Sequence, residues 1–460
     1  MNFQANSPHA RDAAHHLHPY TNMADNEANG PHIFSRGEGI YVYDDDGKKY
    51  IEGLAGLWCA SLGFSEKRLV EAATKQMEVL PFYHNFAGKS CEPTIELADY
   101  LVKHAPCEDM AKVFFTNSGS EANDTQVKIV WYYNNVMGRP EKKKIFARTG
   151  AYHGITLAAA SMTGLQYAHN AFDVPIKNIM HTTCPHHYHH AEPDESEEAF
   201  AQRCADDLEA QIIEEGPETC AAFIAEPFLG AGGVIMPPKG YFEAIQKVLD
   251  KYDMLLIVDE VISGFWRTGD RFASETFNLK PDLMTMAKAL SAAYLPIGGV
   301  MISKKISDVI NQGSMKYGLF GTGYTYSGHP VPAAVAVETQ KIYDEMNMGA
   351  HVKATSVRFQ ERLKQLGEHP MVGEARGIGL IGGIELVKDK ADKINFDPAH
   401  KVAPWCVAKL TELGMIARPM INDSIGLCPP LIITDSQVDD MFDILDQAVD
   451  ITHKEYVSTL

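Results

Sequence analysis

Short, unbroken apolar runs that stop at charged residues are the dominant pattern in the middle of the chain. The three runs are residues 221–225, which stop at Glu226, residues 254–258, which stop at Asp259 and Glu260, and residues 283–287, which stop at Lys288. A short apolar run without alternation is typical of a strand buried on both faces of a parallel sheet. The pattern therefore predicts buried strands whose carboxyl ends carry acids and a lysine, at the edge where open α/β sheets bind ligands.

Regular elements are predicted on both sides of these strands. Residues 39–51 have the pattern of a hairpin with Asp46-Gly47 at the turn. Further strands are predicted at residues 113–116 and 145–148, and helices at residues 94–103 and 200–212. Residues 1–30 have no apolar period, and we expect them to form an irregular arm on the surface.

The last third of the chain predicts a smaller α+β unit. After two helical stretches, residues 376–386 mix glycine with apolar residues and predict one twisted strand. Residues 413–419 are a strand candidate broken by Pro419, and residues 426–433 return to an apolar run. Thr434 and Gln437 have capping-box spacing, and an apolar stripe continues from there to Val449 as a closing helix.

The length of the chain predicts two substructures rather than one core. We expect residues 61–330 to form a large domain. The arm and hairpin at residues 1–60 and the C-terminal part at residues 331–460 are expected to form the small domain together.

Composition and charge exclude several classes of protein. The 460 residues carry a net charge of −19, which argues against a nucleic-acid or anionic-membrane surface. No apolar run approaches the roughly 18 residues of a membrane span, and no signal-peptide core is apparent. The eight cysteines have no CxxC pair and predict reduced thiols. We therefore expect a cytoplasmic protein.

Lys288 and Asp259 are the candidate catalytic residues. A lysine among methionine, alanine and leucine loses hydration, so we expect its pKa to fall and its amine to attack carbonyl groups. A pyridoxal 5'-phosphate (PLP) enzyme needs such a lysine to form a Schiff base and a carboxylate to keep the pyridine nitrogen protonated. Taken singly, Asp259 also fits a solvated strand-end turn and Lys288 a surface lysine.

A strand, a turn of small residues and a helix start follow one another at residues 113–124. Ser118 is a candidate N-cap, and Glu121 lies in the first turn of the helix. Free backbone N–H groups and the helix dipole at such a start favour a phosphate. Many Ser-Gly turns cap a helix without binding an anion, so the turn alone leaves both interpretations open.

Two segments, VDEVISGFWRTG at residues 258–269 and MTMAKALSAAYLPIGG at residues 284–299, resemble the signature of class III (omega) aminotransferases. The similarity extends over nearly the whole chain. It implies an α/β fold of the PLP-dependent fold-type I class, in which a large domain with a mostly parallel central sheet is joined to a small α+β domain. It also implies transamination of an amine or omega-amino acid with a 2-oxo acid, most plausibly pyruvate, by a ping-pong mechanism.

The resemblance assigns cofactor-binding roles to residues in six parts of the chain. These residues are Ser118, Gly119, Ser120, Tyr152, His153, Glu226, Asp259, Val261, Lys288 and Thr325. Lys288 is the covalent and acid/base lysine, Asp259 contacts the ring nitrogen, Tyr152 stacks on the ring, and the turn at residues 118–120 binds the phosphate. Thr325 donates to the phosphate of the other subunit, which implies a homodimer with shared sites.

The resemblance also assigns a substrate pocket. Its residues are Leu57, Trp58, Phe86, Tyr152 and Arg418. A guanidinium binds a carboxylate through two parallel hydrogen bonds, so Arg418 suits an amino acid or 2-oxo acid, and a mobile Arg418 leaves room for an uncharged side chain. The family usually has glycine at the position of Trp266, and we expect this indole to reshape the region near the cofactor.

Other functions stay open at this point. An aminomutase or decarboxylase would use the same fold and cofactor, and a nucleotide-dependent oxidoreductase is disfavoured because no GxGxxG pattern is present. A catalytically silent scaffold is a third alternative. Residues 184–190 contain four histidines without metal-ligand spacing and predict a polar loop without a metal. The amino donor, the stereochemical preference and the choice between dimer and tetramer are not determined by the sequence.

Overall fold

The computed structural model describes residue 4 and residues 6–460, and the chain begins with two helices and a small sheet. The elements are α1 (Pro8–His15), α2 (Met23–Asn29), β1 (Phe34–Glu38), β2 (Tyr41–Asp44), β3 (Lys49–Glu52) and α3 (Ala55–Trp58). Strands β2 and β3 pair antiparallel with Tyr41 opposite Ile51. The predicted hairpin is therefore confirmed.

The middle of the chain alternates helices with strands. The elements are α4 (Lys67–Val79), α5 (Glu92–Lys103), β4 (Met110–Thr116), α6 (Gly119–Val136), β5 (Lys144–Arg148), α7 (Leu157–Met162), β6 (Ile179–Thr182), α8 (His187–His190), α9 (Glu197–Glu215), β7 (Cys220–Ala225), α10 (Tyr241–Lys251), β8 (Leu255–Asp259), α11 (Ala273–Thr276), β9 (Leu283–Met286), β10 (Gly298–Ser303) and α12 (Lys304–Tyr317). Each strand predicted in this part is present.

These strands form one seven-stranded sheet in the order β4-β10-β9-β8-β7-β5-β6. The pairs from β9 to β6 are parallel, and β10 is antiparallel to both of its neighbours. Phe223 and Leu256 pack in one apolar cluster with α9 and α10, and Ile224 and Ile257 pack in another with α6. Helices therefore cover both faces, which explains why the strand sequences are apolar throughout.

The last third of the chain adds two long helices, a second sheet and a closing helix. The elements are α13 (Pro330–Glu345), α14 (Met348–Leu366), β11 (Val372–Ile378), β12 (Ile381–Asp389), β13 (Ile394–Asn395), α15 (Val402–Leu413), β14 (Met415–Ile416), β15 (Arg418–Pro419), β16 (Ser424–Leu427) and α16 (Asp435–Ile451). Strands β11, β12, β16 and β15 form the second sheet, and β14 pairs parallel with β3. The two ends of the chain thus share a sheet.

The predicted capping box at Thr434 is confirmed, because its side chain accepts from the Gln437 backbone and Gln437 reaches back to the Thr434 backbone. The predicted stripe along α16 is buried. Within the described residues, the structure has no helix that is long and apolar enough to cross a membrane.

Three local predictions are wrong. Residues 8–15 and 23–29 are helices rather than an irregular arm, because Ser7 and Asn22 cap their first turns; residues 1–3 and 5 of that arm lie outside the described residues. Residues 376–386 belong to two antiparallel strands, since Gly379 adopts a φ of +56° and lets the chain reverse. Residues 187–190 form one helical turn within the predicted loop.

Candidate active site

The carboxyl ends of β7, β8 and β9 bring Glu226, Asp259 and Lys288 to one edge of the large sheet. The three strands are adjacent and parallel, with Ala225 opposite Val258 and Asp259 opposite Thr285. Lys288 follows β9 after one residue and begins a short 3-10 turn with a φ of +50°. Burial lowers the pKa of Lys288, which is the predicted direction, while nearby Cys59, Asp259 and Glu226 act in the opposite sense.

Asp259 is buried and accepts three hydrogen bonds. Its Oδ2 accepts from the Nδ2 of Asn123 at 2.8 Å and lies 2.9 Å from the Nδ1 of His153, and its Oδ1 accepts from the backbone N–H of Val261 at 3.0 Å. No lysine or arginine of the described residues forms an ion pair with this carboxylate. A buried carboxylate held by hydrogen bonds in this way is available for a cationic ring nitrogen.

Glu226 is buried beside Asp259 and is held by two backbone donors. Its Oε1 accepts from the N–H of Tyr152 at 3.0 Å, and its Oε2 accepts from the N–H of Gly230 at 2.9 Å. Burial raises the pKa of Glu226, and the charge of Asp259 contributes to the same rise. Glu226 therefore links the loop that carries Tyr152 and His153 to the end of β7.

The turn at residues 118–120 begins the 18-residue helix α6 beside the acid of β8. Ser118 is the N-cap and accepts from the N–H of Glu121 at 3.2 Å, as predicted. Gly119 packs so closely on Val261 that a Cβ there would lie 2.9 Å from Val261 Cγ2. Ser120 Oγ accepts from the N–H of Ile155 at 3.1 Å. Free N–H groups and the dipole at this helix start suit a phosphate.

Tyr152 is partly buried and lies close to Arg418. The hydroxyl of Tyr20 donates to the Tyr152 hydroxyl at 3.4 Å. Burial raises the pKa of both Tyr152 and Tyr167, and the positive charge of Arg418 acts in the opposite sense on each. Within the described residues, no carboxylate forms an ion pair with Arg418, although the chain has 60 acidic residues. The guanidinium is thus available for a ligand.

Trp58 lies next to the strand that carries Arg418. A Cβ on Gly426 would be 2.8 Å from Trp58 Cη2, and Gly426 is opposite Arg418 in the β15–β16 pair. Trp58 is only 2% exposed and adopts a φ of +62°, whereas neighbouring Leu57 is 54% exposed. The structure therefore places Trp58 near Arg418 and leaves most of Leu57 open to solvent in this single chain.

Phe86 lies at a different surface, against the segment that carries Thr325. A Cβ on Gly323 would be 2.8 Å from Phe86 Cε1, and Phe86 is 48% exposed. Thr325 is also exposed. An open groove of about 1160 Å³ runs past Phe86, Phe114, Phe320 and Gly323. Within one chain, these two predicted site residues are not brought into contact with the strand-end cluster, which consists of Glu226, Asp259 and Lys288.

Asn123 was not singled out by sequence reasoning, although it contacts both Asp259 and the backbone of His153. Asn123 and Gln126 are one helical turn apart and fully buried, and both bond to Thr285 on β9. Polar residues spaced three apart on an otherwise buried helix face were a usable signal. Tyr20 was also missed, and the sequence contains no local indication of its contact with Tyr152.

Two of the four histidines at residues 184–190, His186 and His189, join an ion-pair network rather than a polar loop. His186 Nε2 lies 2.8 Å from Glu374 Oε2, and His189 pairs with Glu385. Arg376 Nη1 contacts both carboxylates, at 2.6 and 3.1 Å. The ligand atoms of His186, His189 and Glu385 lie within 4.8 Å of one another, a spacing that could hold a metal ion. Arg376 offsets only one of the two negative charges of Glu374 and Glu385, and the absence of a metal stays a prediction.

Trp266 does not contact the strand-end cluster through its packing. The Arg271 guanidinium lies 4.5 Å from the Trp266 ring centroid, and a Cβ on Gly349 would be 2.7 Å from Trp266 Cζ3. Arg267 donates to the carbonyls of Leu380 and Pro429 at 2.9 and 2.7 Å. Both residues therefore connect the segment after β8 to the C-terminal part of the chain.

The comparisons with known proteins agree with this arrangement. The sequence model of the class III aminotransferase family matches residues 22–449. Gamma-aminobutyrate transaminase 1, mitochondrial, of Oryza sativa subsp. japonica is 52% identical over 424 residues, 92% of this chain and 82% of that protein. Gamma aminobutyrate transaminase 1, mitochondrial, of Solanum lycopersicum is 51% identical over the same shares of the two chains.

Solved structures extend the likeness to the fold. The omega transaminase of Pseudomonas jessenii in complex with PMP is 49% identical, with a TM-score of 0.96 over 98% of this chain and 99% of that chain. The W58G variant of the thermostable omega transaminase PjTA-R6, engineered for asymmetric synthesis of enantiopure bulky amines, is 48% identical, with a TM-score of 0.96 over 97% and 99% of the two chains. The strand-end lysine and acids also fit PLP, and this chain belongs to the class III aminotransferases, PLP-dependent enzymes of fold-type I.

Proposed function

We propose that this aminotransferase moves an amino group from an amine or omega-amino acid to a 2-oxo acid, with pyruvate as the acceptor. The observation that carries the proposal is the Arg418 guanidinium, which lies near Tyr152 without an ion-pair partner among the described residues. A partnerless guanidinium binds a carboxylate strongly and with defined orientation. The structural neighbours named omega transaminases and the relatives named for gamma-aminobutyrate, an omega-amino acid, support this substrate class.

Lys288 is proposed as the residue that moves the proton. When bound, PLP supplies an electron sink that stabilises negative charge on the substrate carbon. The amine of Lys288 would take the proton from the donor carbon and return it at the acceptor stage. Its lowered pKa favours the neutral amine that this base function needs.

The remaining residues are proposed to bind and orient the cofactor. Asp259 would pair with the ring nitrogen, and Tyr152 would stack on the ring. The turn of Ser118, Gly119 and Ser120 would bind the phosphate through backbone N–H groups. The other proposed contacts are His153 and Val261, which bond to Asp259, and Glu226, which fixes the Tyr152 backbone.

The proposed donor pocket is apolar, with Arg418 as its polar element. Trp58 lies next to Arg418, and the W58G variant of a structural neighbour was engineered for bulky amines. Leu57 and Phe86 are proposed to complete the pocket. An amine donor would occupy this space while Arg418 moves aside, and the 2-oxo acid would then bind to the same guanidinium.

We also propose a homodimer in which Thr325 contacts the phosphate in the other subunit. The exposure of Thr325, and of Phe86 beside an open groove, supports this arrangement. The division into residues 1–60, 61–330 and 331–460 is proposed to follow the sheets, since β14 joins the N-terminal strands. A cytoplasmic location remains a prediction, because the rice and tomato relatives are named mitochondrial.

The visible absorbance of the purified protein tests the reaction. We expect a cofactor band that disappears with gamma-aminobutyrate or a simple arylalkyl amine and returns with pyruvate. Lys288→Ala should abolish this cycle. Comparison of pyruvate with 2-oxoglutarate decides the acceptor, and a protein that takes up PLP but cycles only with 2-oxoglutarate would contradict pyruvate. A protein that eliminates carbon dioxide from the donor would contradict transamination.

A further inference from the structure

The side-chain amide of Asn123 makes four hydrogen bonds in the interior behind Asp259. Its Nδ2 donates to the carbonyl of His153 at 2.6 Å and to Asp259 Oδ2 at 2.8 Å. Its Oδ1 accepts from Thr285 Oγ1 at 2.6 Å and from Gln126 Nε2 at 2.9 Å. Because the His153 carbonyl and the Asp259 carboxylate can only accept, a flipped amide would lose both of these bonds. The orientation of the amide toward Asp259 is therefore determined by its surroundings.

Asn123 is also suited to stabilise a negative charge on Asp259. A buried carboxylate is costly unless donors compensate for its lost hydration, and Asp259 is only 3% exposed. An amide cannot give up its proton, so Asn123 donates at every pH at which the protein is folded. The position of the proton on the His153 ring is less fixed, because its buried Nε2 has no hydrogen-bond partner within the described residues that would keep the donor at Nδ1.

We propose that Asn123 is a positioning residue that keeps Asp259 ionised and directed toward the ring nitrogen of PLP. Asp259 Oδ2 is occupied by Asn123 and His153, whereas among the described residues Oδ1 accepts only from the Val261 N–H. A carboxylate oxygen has two lone pairs, so Oδ1 retains capacity for one further donor. The inference rests on the assignment of Asp259 made in the proposed function.

Two variants and a matched control isolate this role. Asn123→Leu has a similar volume and removes the donor, and Asn123→Asp keeps the shape but places a second carboxylate against Asp259. Two carboxylates at this distance share a proton, which weakens Asp259 as a partner for a cation. Asn134→Leu is the control, because Asn134 lies on the same helix and is 1% exposed, and its side chain donates only to the Val130 carbonyl in the part of the chain that the structure describes.

The experiment compares PLP with an analogue that has carbon in place of the ring nitrogen. Each apoprotein is titrated with both compounds, binding is followed by quenching of intrinsic fluorescence, and circular dichroism checks the fold. We expect the unaltered protein to bind PLP at least tenfold more tightly than the analogue. Asn123→Leu should weaken PLP binding by about ten- to a hundredfold and leave the analogue nearly unchanged, because the lost bond is to a charged group.

The control and the second variant make every outcome decisive. Asn134→Leu should change neither the affinity for PLP nor the affinity for the analogue. Asn123→Asp should weaken the binding of PLP but not that of the analogue. This second variant tests the role of Asn123 if Asn123→Leu does not fold. Equal weakening of PLP and analogue in the Asn123 variants would show a merely structural role and overturn the proposal, as would no weakening at all. If the unaltered protein does not distinguish the two compounds, the role of Asp259 and this inference both fail, whereas the absorbance cycle still tests transamination separately.

Discussion

Arg418 is the residue whose substitution separates the two kinds of substrate. Arg418→Leu removes the carboxylate contact but leaves the apolar side of the pocket, so KM for pyruvate should rise by about ten- to a hundredfold, the cost of one charged hydrogen-bonding pair. The rate of amine consumption in the first half-reaction should change little. Steady-state kinetics and single-turnover absorbance with a simple arylalkyl amine measure the two effects.

Arg418→Lys is the appropriate control, because it retains the charge and loses the two parallel hydrogen bonds. The KM of Arg418→Lys for pyruvate should lie between the KM of the original protein and that of Arg418→Leu. An unchanged KM for pyruvate in Arg418→Leu would mean that the carboxylate binds elsewhere.

Glu52 makes the stability of the protein depend on pH. This buried acid accepts from the N–H of Leu54 at 2.9 Å, and burial raises its pKa from 4.5 to about 7. The folded state thus binds a proton more tightly than the unfolded state, so this contribution is fully present below pH 4.5 and is lost as the pH rises through 7. The shift corresponds to about 3 kcal/mol.

Glu52→Gln removes this titration while keeping the size and the acceptor for Leu54. We expect the variant to be more stable than the original protein at pH 8, with the difference shrinking or reversing at pH 5. Melting temperatures of both proteins without added cofactor, measured across this range, provide the comparison. A difference that does not vary with pH would contradict a raised pKa for Glu52.

At the scale of residues, the sequence predicted those that occupy strand ends. Glu226, Asp259 and Lys288 each follow an apolar run, and a run of this kind identifies both the strand and the residue after it. Asn123 and Tyr20 could not be found in this way, because their partners are distant in the sequence. A contact between side chains of separate segments depends on how the elements pack, and local patterns contain no information about that.

At the scale of elements, the segment after β8 contains a residue with an unfavourable backbone conformation. Trp266 adopts a φ of +76°, which costs a non-glycine residue about 1–2 kcal/mol. This conformation gives a physical reason for the glycine that the family usually has there. The indole compensates by packing on Arg271 and Gly349, so the segment is attached to the start of α14.

Trp266→Gly should therefore lower stability by about 1–3 kcal/mol, since the loss of a partly buried aromatic side chain that packs against the core exceeds the relief of backbone strain. Trp266→Ala loses the same packing but keeps the backbone strain of a non-glycine residue at positive φ, so it should be less stable than Trp266→Gly by about 1 kcal/mol. Chemical denaturation measures both differences. Because these contacts lie away from the strand ends, neither variant should change which amino donors the enzyme accepts. An altered donor preference would support the expectation that the indole reshapes the region near the cofactor.

Elements with a single, strong period were predicted well, and elements that depend on turns were not. The apolar strands and the stripes of α9 and α16 were recognised because burial on fixed faces leaves a regular pattern. The short helices α1 and α2 have few buried residues, so no apolar period marks them. The reversal between β11 and β12 depends on the conformation of Gly379, which a run of several glycines does not identify in advance.

At the scale of the whole molecule, the ends of the chain and the middle are connected by long-range contacts. The ion-pair network of His186, Arg376 and Glu374 joins the end of the large sheet to the second sheet. Arg376 also donates to the carbonyl of Gly233 at 2.8 Å, near the turn that binds Glu226. The sequence predicted each participating segment but not this connection, because charged residues give no indication of their partner.

The proposed homodimer with shared active sites predicts how a mixture of two defective variants behaves. Thr325→Val should weaken PLP binding by at least about tenfold, because the hydroxyl would donate to a charged phosphate. Lys288→Ala removes the covalent attachment. If Thr325 acts in the other subunit, a mixed dimer contains one site with both Lys288 and Thr325 intact and one site with neither.

Unfolding and refolding an equal mixture of the two variants should therefore restore full PLP affinity and transamination to about a quarter of all sites, as random pairing of subunits requires. Each variant refolded alone provides the baseline. Activity per site that equals the average of the two separate variants would mean that Thr325 serves its own chain or that the subunits do not pair. Restored activity would establish that Thr325 lies at the interface between the subunits, because the missing hydroxyl can then come only from the second subunit.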